Sequence, residues 1–347
     1  MKSPALFRPL TGSMDEHEKL CRIGLSHVEF LRPRDKVTLF RELGSVAAIF
    51  ELSLRDLSFK VKRRLRTRLW DPAAILGEAE KTERRLTPGV LGCIFIGDST
   101  YPPRLSETSD PPVTLFFRGK PPENGYLLVG IVGTRFPTGG ARKAAFGLGF
   151  ELACQGVGVV SGLARGVDRE AHEGCVHAGG YSIGVLGNGI DQIYPSSSRA
   201  AGMALLEAGG TILSEYPPGM PPLGWHFPAR NRIISGLSRS VVIVQAPERS
   251  GALITAEHAA EESRDLYVHT AGQWGSAGAG TRHLAESGAP VIAGARDILR
   301  DWGCQYREPA SKDALPGEST GQRLARIFKG EMEGACATKA GETYWRT

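Results

Sequence analysis

The sequence predicts an α/β protein in which a small helical domain precedes a doubly wound, mostly parallel sheet. Three observations carry that prediction. Seven short, mainly apolar runs, at 126–132, 157–160, 182–186, 211–213, 241–244, 266–268 and 290–292, are separated by stretches long enough for helices, which is the rhythm of successive βαβ units. The runs are continuous rather than alternating, as in Val241-Val-Ile-Val244, which is how a strand reads when both faces of its sheet are covered. Upstream, over residues 16–85, the period becomes helical, with apolar residues at i, i+3 and i+4 through Val37-Thr-Leu-Phe-Arg-Glu-Leu43 and Val46-Ala-Ala-Ile-Phe50.

Taken in order, residues 1–85 are expected to form the helical domain, its short helices divided at Gly44 and Ser53. Lys62, Arg63, Arg64, Arg66 and Arg68 gather its positive charge in one stretch. Residues 86–125 are rich in proline, with Tyr101-Pro-Pro103, Pro111-Pro112 and Pro121-Pro122, so they are expected to be a linker with one strand. Residues 126–303 carry the parallel sheet, and the carboxyl ends of its strands are where a ligand should bind. Residues 304–347 read as a polar, glycine-rich tail with at most a short helix near Gln322-Arg-Leu-Ala-Arg-Ile-Phe328.

Composition narrows the classes of function. Among 347 residues, 41% hydrophobic, no apolar run approaches the ~18 residues that a membrane span needs, so no membrane segment is expected. The first residues, Met1-Lys-Ser-Pro-Ala-Leu-Phe, lack the apolar core of about 7–15 residues of a secretory signal, which makes the cytoplasm the expected location. Cys21, Cys93, Cys154, Cys175, Cys304 and Cys336 form no Cys-x-x-Cys pair, which argues against a zinc site and a disulfide framework, and they are read as reduced thiols. No metal, cofactor or catalytic residue is assigned. A net charge of +5 permits a polyanionic partner without requiring one. Its placement says more, because Arg135, Arg165, Arg230 and Arg232 lie in or beside glycine-rich turns.

Four segments bear the chemistry. In Gly130-Ile-Val-Gly-Thr-Arg135 the expected role of the glycines, Gly133 among them, is to let a ligand approach the main chain, with Thr134 and Arg135 at the turn and the N–H groups of the next helix open to an anion. The spacing is not that of a dinucleotide fingerprint, which disfavours NAD. In Ser161-Gly-Leu-Ala-Arg-Gly-Val-Asp168, Ser161, Gly162 and Arg165 are candidate phosphate contacts; Asp168 suits a cap and His172 a packed side chain better than an acid/base pair. Phe227-Pro-Ala-Arg-Asn-Arg232 places Phe227, Arg230, Asn231 and Arg232 ahead of a helix whose apolar face begins at Ile233, and Trp225 and His226 offer further stacking surface. Such a mixture suits single-stranded nucleic acid, since a base stacks on an aromatic ring for about 1–3 kcal/mol while guanidinium groups offset backbone charge. The competing reading puts Phe227 in the core and pairs one arginine, Arg232 before Arg230, with Glu215. In Ser250-Gly-Ala-Leu-Ile-Thr255, Ser250 and Gly251 offer a hydroxyl and N–H groups to phosphate, and Thr255 packs or caps.

In this order the four segments resemble the DNA-processing protein A (DprA/Smf) family. Tyr101-Pro-Pro-Arg-Leu105 and Pro111-Pro-Val-Thr-Leu-Phe-Phe-Arg-Gly119 resemble what the family shows just before its main domain. The resemblance implies a Rossmann-like sheet, a helix-hairpin-helix or SAM-like helical domain before it, and an arginine at Arg135 that contacts the phosphates of single-stranded DNA. It also implies a non-enzymatic function in natural transformation, in which incoming single-stranded DNA is bound and loaded with the RecA recombinase by a homodimer. Many relatives carry a winged helix at the C-terminus, for which residues 304–347 are too short. The chain departs from the pattern at Val268-His-Thr-Ala-Gly272, at Gly280-Thr-Arg-His-Leu284, where Arg282 replaces an asparagine, and at Ser196-Ser-Ser198, where relatives often carry a basic residue. A rival of similar architecture is a nucleoside-monophosphate phosphoribohydrolase of the lysine-decarboxylase-like type, whose Pro-Gly-Gly-x-Gly-Thr loop is not matched by Pro247-Glu-Arg-Ser-Gly-Ala252. A small-nucleotide sensor on the same fold is a third.

Overall fold

The structure, a computed structural model, describes residues 14–308 and the backbone of 336–339 and 342–345. Five helices come first: α1 Glu16–Ser26, α2 Pro33–Leu43, α3 Ala47–Phe50, α4 Leu54–Lys60 and α5 Pro72–Arg85. Local chemistry sets their ends. Pro33 and Pro72 start α2 and α5, where a missing N–H costs nothing, and Gly44 closes α2 at φ 76°. The Glu18 carboxylate accepts hydrogen bonds from Ser45 Oγ and from the Val46 and Ala47 N–H groups that open α3, and it pairs with Arg22 at 2.8 Å. Burial alone would raise its pKa, but these bonds together hold it below the usual carboxylate range.

Next come β1 Leu91–Phe95, α6 Pro103–Ser106, β2 Thr114–Gly119, β3 Leu128–Val132, α7 Gly139–Cys154, β4 Gly158–Ser161, α8 Val167–His177 and β5 Ser182–Leu186. They are followed by α9 Arg199–Glu207, β6 Thr211–Ser214, α10 His226–Leu237, β7 Ser240–Ile243, α11 Gly251–Glu261, β8 Asp265–His269, α12 Ala279–Glu286, β9 Val291–Ile292 and α13 Ala295–Asp301. One nine-stranded sheet runs β1-β2-β6-β5-β4-β3-β7-β8-β9. From β6 to β9 every pairing is parallel, and β1 and β2 add an antiparallel margin. The fold is thus the expected Rossmann-like one. Residues 86–125 differ from the expected linker with one strand, because both β1 and β2 belong to the sheet. The first, Leu91-Gly-Cys-Ile-Phe95, is an apolar run that precedes the paired prolines and pairs antiparallel with β2, outside the βαβ rhythm.

The helical layer is keyed to the sheet margin through Arg22, which is buried. Its Nη1 donates to Ile96 O at 3.1 Å, its guanidinium lies 4.8 Å from the Phe40 ring, and its own carbonyl accepts from Thr114 Oγ. Leu25, Leu31, Val37, Leu39, Ile49 and Leu57 share one apolar core with Leu115, Ile233 and Leu237. No described helix is long and apolar enough to cross a membrane. Residues 1–305 form one compact unit and 306–347 a second. In the second, β10 Cys336–Lys339 pairs antiparallel with β11 Glu342–Trp345, strands that the tail's composition did not announce. The short helix expected at 322–328 lies outside the described residues.

Candidate nucleic-acid interface

Strand order reverses beside β3: the chain moves outward through β4, β5 and β6, then returns to place β7 on the other side of β3. The loops leaving the two strands therefore diverge and open a crevice at their carboxyl ends, where ligands bind in sheets of this kind. A cleft of about 540 Å³ lies there, lined by Gly133, Thr134 and Arg135 after β3, Phe227, Arg230 and Asn231 on α10, and Arg249, Ser250 and Gly251 at the start of α11. A lobe of about 250 Å³ shares Arg135, Phe227 and Arg230 and adds Gly162, Arg165 and Pro195. Of the twelve residues assigned from sequence, ten line this surface.

Ser161 and Arg232 do not. The Ser161 hydroxyl is buried and donates to Ile131 O, because at the end of a central strand the nearest acceptor is its neighbour's carbonyl. Arg232 points the other way from α10, toward the helical layer, where it meets Glu215 at 2.7 Å and Asp110 at 3.3 Å. The competing reading of Arg232 as a structural ion pair is therefore the one its geometry matches. His226 is also turned inward, fully buried and stacked on Tyr216 at 3.8 Å, so it offers no stacking surface. Trp225 remains half exposed. The Phe227 segment lies inside the first turns of α10 rather than ahead of it, since Pro228 falls where a helix tolerates proline.

Packing explains most of the glycines, and the reason differs from the expected close approach of a ligand. A Cβ on Gly133 would lie 2.6 Å from Val167 Cγ2, and one on Gly162 would lie 2.4 Å from Arg230 Nη1. Gly162 thus makes room for the arginine. Only at Gly251, among the glycines in the candidate set, does the space for a Cβ stand open. Ser250 caps α11, accepting from Ala252 N, so the open N–H groups of an eleven-residue helix point at the cleft.

Charge in the cleft is unbalanced. Arg135, Arg165, Arg230 and Arg249 line it against one carboxylate, Asp168. Asp168 is occupied: it accepts from the N–H groups of Gly162 and Ala164, holding that turn, and its pKa is raised by burial against the opposing pull of Arg230. Arg230 is buried and donates to the carbonyls of Gly162 and Val185, with Nε on Asn231 Oδ1. Burial lowers its pKa to about 10, so it stays charged at neutral pH. Asn231 in turn donates to Gly251 O, tying the arginine to the α11 end. His172, fully buried with Nδ1 on Ser182 Oγ, is the packed side chain expected. Arg282 donates to Gln273 O. Arg165 donates to Ser197 Oγ, which sets a guanidinium beside the Ser196–Ser198 turn.

Two aromatic residues were missed from sequence. Tyr194 is 42% exposed, its ring 5.8 Å from that of Phe227, and Phe136 is 79% exposed. Arg135 lies over the Phe227 face at 5.9 Å. A Tyr-Pro step reads as a turn, and Phe136 follows the motif without belonging to it; exposure of large aromatics is what marks them. The arrangement combines flat apolar faces, guanidinium groups and helix N–H donors along one open surface. Such a surface accepts a chain of phosphates and unpaired bases. Among the described residues no three His, Cys, Asp or Glu side chains group as a metal site would require.

Residues 92–303 match the family model described as DNA recombination-mediator protein A. Protein Smf of Synechocystis is 41% identical over 227 residues, which cover 64% of this chain and 57% of that protein, so the match spans little more than half of that relative. DNA processing protein DprA of Streptococcus pneumoniae is 39% identical over 209 residues, 59% of this chain and 72% of its own. The crystal structure of the Streptococcus pneumoniae protein aligns with a TM-score of 0.66 at 30% identity, covering 83% of this chain and 99% of that one. A structure of DNA processing protein A from Helicobacter pylori, described by its single-stranded DNA binding mode, aligns with a TM-score of 0.54 at 29% identity, over 62% of this chain and 97% of that one.

Proposed function

This chain belongs to the DNA recombination-mediator protein A family, and from that premise we propose that its cleft binds single-stranded DNA without sequence preference. The observation that carries the reading is the convergence of Arg135, Phe227 and Arg230 on one open surface with a surplus of positive charge. Bases stack on Phe227 and Tyr194, while phosphates meet Arg135, Arg249 and the N–H groups at Ser250–Gly251. Stacking and charge read no base edge, so the contacts tolerate any sequence. The protein acts in the cytoplasm as a binder and not as an enzyme, and the commitment of Asp168 to backbone N–H groups favours this over the phosphoribohydrolase alternative. In this reading a homodimer delivers the bound strand to the RecA recombinase in natural transformation.

Affinity for an oligonucleotide measured against salt tests the reading. Each phosphate neutralised should contribute about −0.7 to the slope of log K against log salt for a single strand. Arg135→Ala should weaken binding of all sequences alike and make that slope shallower by about 0.7, the share of one phosphate. Binding indifferent to salt, or unchanged in Arg135→Ala, would remove the cleft as the site.

A further inference from the structure

We propose a second nucleic-acid surface on the helical domain, a loop from Lys62 to Arg68 that grips a polynucleotide backbone outside the cleft. Burial alternates along it. Arg63, Leu65 and Thr67 turn inward, while Lys62, Arg64, Arg66 and Arg68 are exposed. Inward anchors hold it in place: Leu65 is buried, its N–H donates to Ser58 Oγ, and Arg63 bonds Phe30 O and pairs with Asp35. Trp70, just beyond, packs edge-on against Phe30 and donates to Leu52 O. Four cations therefore stand exposed at every second residue of the loop, Lys62 at its turn with φ 51°. Among the described residues none of the four has a carboxylate within ion-pair distance, in contrast to Arg63 and to Lys60, which pairs with Glu42.

A cluster of exposed, unpaired cations on one short loop fits a polyanion. Three of the four are arginines, whose planar fork suits phosphate oxygens. The segment is flanked by Phe59, 84% exposed, which offers a face to an unpaired base, and by Leu69, 76% exposed. Cations with exposed apolar neighbours also suit an anionic membrane surface. The predominance of arginine favours nucleic acid.

Binding of the full chain to single-stranded oligo-dT is measured over a salt series, for the wild type and for the variant Lys62→Gln/Arg64→Gln/Arg66→Gln/Arg68→Gln. A long oligonucleotide should bind the variant with a salt slope shallower by about 3, at about 0.7 per phosphate. Each half-set, Lys62→Gln/Arg64→Gln and Arg66→Gln/Arg68→Gln, should remove about half of that, which guards against a fold defect in the fourfold variant. With the cleft disabled by Arg135→Ala/Phe227→Ala, residual binding should persist and should vanish when the loop changes are added. That arm separates the two sites, because the cleft fails if its own changes leave affinity intact, whatever the loop does. An unchanged slope in the fourfold variant overturns the proposal. So does binding to phosphatidylserine vesicles that the loop changes abolish while DNA binding stays intact.

Discussion

Arg230 and Arg232 stand two residues apart on α10, about 200° apart around the helix at 3.6 residues per turn, and their surroundings differ in one respect. Both are buried, at 5% exposure each. Around Arg232 two carboxylates, buried Glu215 and half-buried Asp110, offset the charge. Around Arg230 the partners are carbonyl oxygens and an aspartate already bound to backbone N–H groups, at the floor of an open cleft that three more arginines line. Burial does not separate a structural arginine from a binding one; the balance of charge around it does. A matched arginine stabilises the fold, and an unmatched one leaves a field for an outside anion to satisfy.

The largest expected effect lies on the matched side. Arg232→Ala removes the guanidinium from buried Glu215 and half-buried Asp110 and should cost about 3 kcal/mol in urea unfolding, with DNA affinity of the folded protein retained. Lost affinity with stability intact would dissolve the contrast. Next, Phe227→Ala should weaken oligonucleotide binding by about 1–3 kcal/mol, roughly 5- to 150-fold, read by equilibrium titration. An effect on stability alone would return Phe227 to the core.

Acid sharpens the comparison from another direction. His172 is fully buried, and desolvation depresses its pKa from 6.5 to about 3. Because the folded value lies below the unfolded one, its contribution to stability is complete above the unfolded pKa and is lost as pH falls toward the folded one, at up to about 1.4 kcal/mol per pH unit. Unfolding free energy followed against pH should show this decline, and His172→Gln should make it shallower. An identical pH dependence in both proteins would remove His172 as its source. DNA affinity should stay level across neutral pH, since Arg230 titrates near 10. The smallest effect is that of Ser250→Ala, which removes the α11 cap at about 1 kcal/mol of stability, with a modest loss of affinity because the helix N–H groups remain.

The interior of the sheet was legible because a strand covered on both faces must be apolar throughout: β3 to β9 fall on the seven runs read from sequence. β1 was not, although Leu91-Gly-Cys-Ile-Phe95 is apolar, because it stands outside the βαβ rhythm and beside a proline-rich stretch that reads as a linker. The cleft was legible residue type by residue type, because a sheet of this topology opens a crevice at the carboxyl ends of its parallel strands, where the four segments fall. What sequence left open was direction. Nothing in Phe227-Pro-Ala-Arg-Asn-Arg232 states which arginine faces the crevice; the answer depends on where Glu215 and Asp110 arrive, the latter more than a hundred residues upstream. Tyr194 was missed for a related reason, since its exposure follows from the placement of a turn rather than from its neighbours in sequence.

At its far margin the sheet ends in β9, which is two residues long and follows Pro290, a residue with no N–H to donate. A strand from another molecule trying to extend the array on that side finds almost no main-chain template to copy. Runaway stacking of copies edge to edge is therefore discouraged there by geometry. Two copies meeting on that flank would have to recognise each other through side chains.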